Sequence, residues 1–231
     1  MTYMANTLNS GQTLQVVTFE GGYDRNFCYL VWCPDTRIAA LVDAAIPAGP
    51  IQATIQEKKV SLKYALITHT HGDHLAHLEE WLSLEPQLET VGHHRPVRRD
   101  LPNYRGLPDG AEVELGRQRI ILLETPGHYP DCVCWYHEED GLLFSGDTVF
   151  TDRTGRTLSP LSDTHQLYHS VYDRILILPP KTLVYPGHNY GPVSSITLEE
   201  LKASSDFFSC ASTAQFEEVM ARFEKCQQRG D

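Results

Sequence analysis

Read for apolar and polar positions, the chain opens with three short segments, Leu14 to Phe19, Asn26 to Trp32 and Ile38 to Asp43, rich in β-branched and aromatic residues and broken by Gly21-Gly22 and Pro34-Asp35. That pattern predicts antiparallel strands joined by turns. Pro50 to Lys58 carries Ile51, Ala53 and Ile55 among polar residues behind Pro47, which predicts a helix. A strand over Tyr64 to Ile67 follows. Leu75, Leu78, Trp81 and Leu82 then recur at helical spacing, with Glu79 and Glu80 on the other face, and this helix should end before Pro86. Glu89 to Gly92, followed by His93-His94, and the Ile and Leu run from Arg119 to Glu124 read as strands. Val133 to Tyr136 and Gly141 to Phe144 read as a hairpin across Glu138-Glu139-Asp140. Helical spacing returns at Leu167, Val171, Ile175 and Leu178, Thr182 to Tyr185 is a strand, and two helices, Leu198 to Phe208 and Thr213 to Cys226, end the chain.

Four of these strands finish alike. Tyr64 to Ile67 runs into Thr68-His69-Thr70-His71-Gly72-Asp73-His74, and the later ones end in Pro126-Gly127-His128, Ser145-Gly146-Asp147 and Pro186-Gly187-His188. Each is a glycine-assisted turn that presents a histidine or an aspartate, which is what brings side chains from distant sequence into one cleft at a sheet edge. His69 and His71 sit two apart, so in an extended segment they leave the same face and can grip one ion. Asp73 and His74, beyond Gly72, can point at a second ion close by. Imidazole and carboxylate without thiolate suit zinc, iron or manganese. His77, three residues after His74 on the helix, reads as structural.

Composition narrows the setting. At 231 residues, 41% hydrophobic and 21% charged, the chain can bury a full core without disulfides, and it reads as one domain with 195–231 as a short helical tail. A net charge of −11 repels polyanions, and the short basic cluster Arg95 to Arg99 reads as a solvated loop, so nucleic acid is not the expected partner. Met1 to Thr13 lacks a charged head followed by an apolar stretch, and no apolar run approaches transmembrane length. The expected setting is therefore cytoplasmic, with no membrane partner. Cys28, Cys33, Cys132, Cys134, Cys210 and Cys226 form no CxxC pair and read as free thiols, with Cys132 and Cys134 in the core.

The ordered set His69, His71, Asp73, His74, His128, Asp147, His188 resembles the metallo-β-lactamase superfamily pattern of HxHxDH followed by a lone His, a lone Asp and a last His. The resemblance covers Leu14 to about Glu200. It implies an α/β four-layer αβ/βα sandwich with two metals at one edge: His69, His71 and His128 on the first, Asp73, His74 and His188 on the second, and Asp147 bridging them. Within the superfamily, Ser145-Gly146-Asp147-Thr148, Gly155-Arg156-Thr157, Leu167-Tyr168-His169-Ser170 and Tyr185-Pro186-Gly187-His188-Asn189-Tyr190-Gly191 look like the glyoxalase II and persulfide dioxygenase branch. In both relatives the substrate is a glutathione derivative, and the resemblance places Arg156 and Tyr190 beside it. Two departures stand out. Arg153-Thr154 replaces the usual Gly-Cys before Gly155-Arg156, and the tail after His188 is shorter than the glyoxalase II C-terminal domain.

Two enzyme readings follow from the resemblance. The first is a metal-dependent hydrolase of hydroxyacylglutathione-type thioesters, with two divalent ions, zinc foremost and iron or manganese as alternatives. A metal-bridging hydroxide is the nucleophile, and Asp73 helps to orient it. The second is a persulfide dioxygenase with one Fe(II) on His69, His128 and Asp147, a two-histidine, one-carboxylate set with open positions. The partner in either case is a small thiol-derived molecule, such as a glutathione conjugate, and a homo-oligomer is compatible with both. A non-catalytic metal-binding module is the third reading, disfavoured because all seven ligand-type residues are kept.

Overall fold

The computed structural model describes residues 13–229, so most of the N-terminal stretch read above for export signals lies outside the described residues. The opening meander forms as its apolar pattern predicts, from β1 (Gln15–Gly21), β2 (Asn26–Trp32) and β3 (Ile38–Val42), each antiparallel to the next. Helix α1 (Ala48–Lys58) then carries the chain back, so that β4 (Ser61–Leu66) lies parallel to β3. Helix α2 (Leu78–Leu84) does the same for β5 (Glu89–His93), and β6 (Tyr104–Leu107) completes a six-stranded sheet in the order β1-β2-β3-β4-β5-β6.

The second sheet is built from β7 (Glu112–Leu115), β8 (Gln118–Glu124), β9 (Val133–His137), β10 (Leu142–Gly146), β11 (Leu183–Pro186) and β12 (Ile196–Thr197), and it also has six strands. Helix α3 (Thr164–His169), continued by a wider π turn over Ser170–Ile175, crosses between β10 and β11 and makes them parallel. Helices α4 (Leu198–Ser204) and α5 (Thr213–Arg229) follow. Strand periodicity assigns the layers. In β2, Phe27, Tyr29 and Val31 point between the sheets while Cys28, Leu30 and Trp32 point to the helices α1 and α2. Trp135, Phe144 and Leu122 meet the first set from the second sheet, and Val171, Leu198 and Phe216 cover that sheet's outer face. The result is the four-layer αβ/βα sandwich expected from the sequence.

The apolar pattern of the sequence does not predict β6, β7 and β12. Only Val113 and Leu115 of β7 are buried, β6 is an edge strand with no buried residue, and β12 is two residues long, so none carries enough apolar alternation to stand out. The second helix starts later than Leu75, because residues 72–77 form turns. All six cysteines are free, and Cys226 alone is exposed. No helix among the described residues is long and apolar enough to cross a membrane.

Directionality positions the site. Strands β3, β4 and β5 are parallel, so their carboxyl ends share one edge of the first sheet. Strands β8 and β10 are both antiparallel to β9, and β11 is parallel to β10, so these three also end together. Bonds between the sheets hold the two edges against each other: Val133 N–H donates to Thr68 O at 2.8 Å and Trp135 Nε1 to Ile67 O at 3.2 Å.

Candidate metal centre

At that shared edge the seven ligand-type side chains converge. One donor atom from each of His69, His71 and His128 lies within 4.8 Å of the others, and the same is true of Asp73, His74 and His188, and of His69, His74 and Asp147. His71 Nδ1 is 2.9 Å from His69 Nε2 and 3.2 Å from His128 Nε2. In the second trio His74 Nε2 is 3.2 Å from His188 Nε2, and Asp73 Oδ2 stands 3.5 Å and 3.3 Å from those nitrogens. Asp147 lies between the trios, with Oδ1 3.3 Å from His74 Nε2, and Oδ2 3.4 Å from His188 Nε2 and 3.6 Å from His128 Nε2. Ligands of a tetrahedral ion with bonds near 2.1 Å stand about 3.4 Å apart, so the spacing fits two adjoining coordination spheres.

The outer atoms fit the same chemistry. His74 Nδ1 lies 2.8 Å from Asp43 Oδ2, His128 Nδ1 donates to Arg156 O at 2.7 Å, and His188 Nδ1 donates to Asp24 O at 2.8 Å. A proton on each Nδ1 leaves the Nε2 lone pair pointing inward, the tautomer that holds a metal. Asp147 Oδ1 is buried and accepts no hydrogen bond. A carboxylate oxygen shut away from water without a donor is costly, and a cation beside it removes that cost. The residues present therefore fit a pair of divalent ions.

In the absence of metal the two trios are charged differently. Burial, and next the charge of His74, hold His69 well below the ordinary imidazole range, and burial with His128 beside it lowers His71 to about 4. Burial alone would also lower His188, but the Asp147 and Asp73 carboxylates outweigh it and raise this residue to about 9. His74 is raised in the same way by Asp147 and Asp43 against its burial. Burial would raise Asp147, yet His74 and His188 hold it well below the usual carboxylate range. His69 and His71 thus offer neutral lone pairs, and protons occupy His74 and His188 where an ion would sit.

This has a measurable consequence. His188 is raised to about 9 in the folded, metal-free protein against about 6.5 in an unfolded chain, so its contribution to stability is full below pH ~6.5 and is lost as pH climbs through about 9. His71, lowered to about 4, acts in the opposite sense and removes stability as pH falls below ~6.5. Urea melts of chelator-treated protein should show a midpoint that declines from pH 7 to 9. Metal-loaded protein, where the ion replaces the proton, should not show this decline.

Local structure explains how the loops hold their places. Gly146 has φ 49°, and a Cβ there would meet Thr68 Cβ at 2.6 Å, so this turn needs glycine. Gly187 packs so closely on the centre that a Cβ would collide with Asp147 Oδ1 and come 2.8 Å from His74 Cε1. Gly187→Ala is therefore expected to cost at least tenfold in metal affinity while leaving the fold intact, read by chelator competition and circular dichroism. Gly72, by contrast, has open space around it and an ordinary φ, so the turn before Asp73 does not depend on it.

Several supporting residues carry no metal-ligand motif in the sequence. Asp43, at φ 57° one residue past β3, accepts from Thr68 N–H and Thr68 Oγ1, both at 2.8 Å, as well as facing His74. Asn26 Nδ2 donates to Asp73 Oδ2 at 2.8 Å, and Asp131 accepts from Thr70 N–H at 3.3 Å and from its hydroxyl at 2.5 Å. A signal existed for Asp43, because β3 also ends in a carboxylate at a strand's carboxyl end, as β10 does. The structure places Arg156 exposed at the rim, its carbonyl holding His128. Tyr190 stacks flat on His188 with ring centroids 4.6 Å apart and donates its hydroxyl proton to Asp24. Beside it the guanidinium of Arg153 lies 4.6 Å from the ring of Tyr190 and 5.0 Å from that of Phe223 on α5.

Comparison with known proteins agrees with this architecture. The sequence profile of the Metallo-beta-lactamase superfamily matches residues 21–188. "Probable hydroxyacylglutathione hydrolase glo2" of Schizosaccharomyces pombe is 32% identical over 194 residues, 81% of this chain and 71% of that protein. The mitochondrial persulfide dioxygenase ETHE1 of Homo sapiens is 32% identical over 176 residues, 75% of this chain and 68% of that protein. The crystal structure of ETHE1 from Myxococcus xanthus superposes with a TM-score of 0.81 at 25% identity, covering 90% of each chain. This chain belongs to the metallo-β-lactamase superfamily of metalloenzymes, in the branch shared by hydroxyacylglutathione hydrolases and ETHE1 persulfide dioxygenases.

Proposed function

We propose that the protein is a metal-dependent hydrolase of small thioesters of the hydroxyacylglutathione type. The observation that carries this reading is the second trio. Asp73, His74 and His188 are gathered as tightly as His69, His71 and His128, with Asp147 between them, which supports a second ion beside the first; the dioxygenase branch keeps the same residue types, so the number of ions bound is what separates the two readings. When bound, such a pair supplies a water acidified into the neutral range and a Lewis acid for the carbonyl. The chain's own residues do the rest. Asp73 is the least buried of the centre's carboxylates, and Asn26 and His188 hold Oδ2, so this side chain is placed to orient the attacking water. The thiolate leaving group, with a free-thiol pKa near 8.5, needs little acid assistance.

Arg156 is the candidate clamp for the carboxylate of the thiol moiety. Its alanine variant should raise KM about tenfold with kcat nearly unchanged for a carboxylate-bearing thioester, and should leave KM alone for a neutral one. Steady-state kinetics with the two substrates measure this.

A second reading, a persulfide dioxygenase with one iron on His69, His128 and Asp147, is favoured by the near-complete coverage of the Myxococcus ETHE1 structure. Metal analysis of protein grown without metal bias, paired with lactoylglutathione hydrolysis and oxygen uptake on glutathione persulfide, separates the two. Two ions with thioester cleavage support the first reading. One iron with oxygen consumption replaces it with the second.

A further inference from the structure

Beside this centre, at the same sheet edge, stands a separate donor cluster: His93, the last residue of β5, His94 after it, and Glu124, the last residue of β8. Its members come from opposite sheets. His93 Nε2 lies 3.2 Å and His94 Nδ1 3.0 Å from the same oxygen, Glu124 Oε1, and one donor atom from each residue falls within 4.8 Å of the others. Among the described residues, the ion-pair partners of this carboxylate are the two imidazoles, with no lysine or arginine.

We propose that His93, His94 and Glu124 form a further divalent-metal site, distinct from the centre built by His69 to His188. The donor separations approach the roughly 3.4 Å edge of a tetrahedron with 2.1 Å bonds. Two imidazoles and one carboxylate suit zinc, iron(II) or manganese. The surroundings orient the donors. His93 Nδ1 faces the backbone of Arg95, whose N–H donates to it at 3.1 Å and whose carbonyl lies at 3.2 Å; an ion on Nε2 selects the tautomer in which Nδ1 carries the proton and donates to that carbonyl. The backbone N–H of Glu124 donates to Asp109 Oδ1 at 2.9 Å, which fixes the strand end from which its carboxylate projects. The side of the cluster away from the core is open. The His94 side chain is 36% exposed, and Glu124 lines a groove of about 420 Å³ with Pro126, His169 and Asp173, so water or a small ligand can complete the coordination. An ion here clips β5 of one sheet to β8 of the other, four residues before His128, and so ties the sandwich together beside its reactive edge.

The test counts zinc. Chelator-stripped wild type, E124Q and H94Q are dialysed to equilibrium against the same zinc solution, and bound metal per chain is measured. Wild type is expected to hold one zinc ion more than either variant. Its thermal midpoint should keep rising after the His69–His188 centre is filled, a rise that E124Q lacks. Equal zinc counts in all three proteins would overturn the proposal and leave the cluster a hydrogen-bonded His–Glu–His contact. H94Q changes a partly exposed side chain and keeps the count decisive even where E124Q perturbs the fold, and circular dichroism verifies that each variant is folded.

Discussion

Asp147→Asn protein is expected to lose about three orders of magnitude in kcat/KM, roughly 4 kcal/mol of transition-state stabilisation, and to retain fewer ions per chain than the native protein. The reason is position. Among the described residues, Asp147 is the one carboxylate within 3.6 Å of donor nitrogens from both trios, on His74, His188 and His128. An amide of the same shape preserves packing but removes the negative charge, and it turns an N–H towards nitrogens whose lone pairs are needed for metal. It also deprives His74 and His188 of the carboxylate that most raises their affinity for protons, so in the metal-free variant both should titrate at lower pH than in the native protein. Metal analysis, substrate kinetics and NMR titration of the imidazoles measure the three effects. Native metal content together with activity within tenfold of native would remove Asp147 from the centre.

The second large effect is expected at a residue that touches no metal in the arrangement described. Asp43→Ala strands three donors at once, the Thr68 N–H, the Thr68 hydroxyl and His74 Nδ1–H, all of them buried. Breaking a buried charged pair by deleting one partner costs about 3–5 kcal/mol, and losing the outer partner of a metal histidine costs about 10–100-fold in metal affinity. Asn at this position tolerates the left-handed φ of 57° and keeps one acceptor, so Asp43→Asn should fall between alanine and native. Urea melts of the metal-free proteins isolate the stability cost, and chelator competition on the loaded proteins isolates the affinity cost. If both variants matched the native protein in both measurements, Asp43 would be a bystander.

Much of this molecule was legible in the chain. The apolar alternation of β1 to β3 and the Ile and Leu run of β8 mark strands because a strand repeats every two residues, a period that survives in sequence. The candidate ligand set was legible for a related reason. Imidazoles and carboxylates placed just after apolar strands, next to glycine, are expensive to keep there without a use, and four such endings in one chain define a set. The family pattern orders the same residues.

What the chain alone left open depends on contacts between residues far apart in it. Asp43 is 25 positions from Thr68 and 31 from His74, so its place just past β3 marks it as a site residue without showing which groups it serves. Strands β6, β7 and β12 are held by pairing to neighbours, since their own sequences are too short or too polar to specify them. His93-His94 and Glu124 gave no sign of meeting, because they sit on different sheets and come together only where both sheets end at one edge. Sequence determines which groups a strand carries and where it stops. Which strand ends face one another is decided by the packing of the two sheets, and that packing minimises the exposed apolar area of the whole chain and not of any one segment.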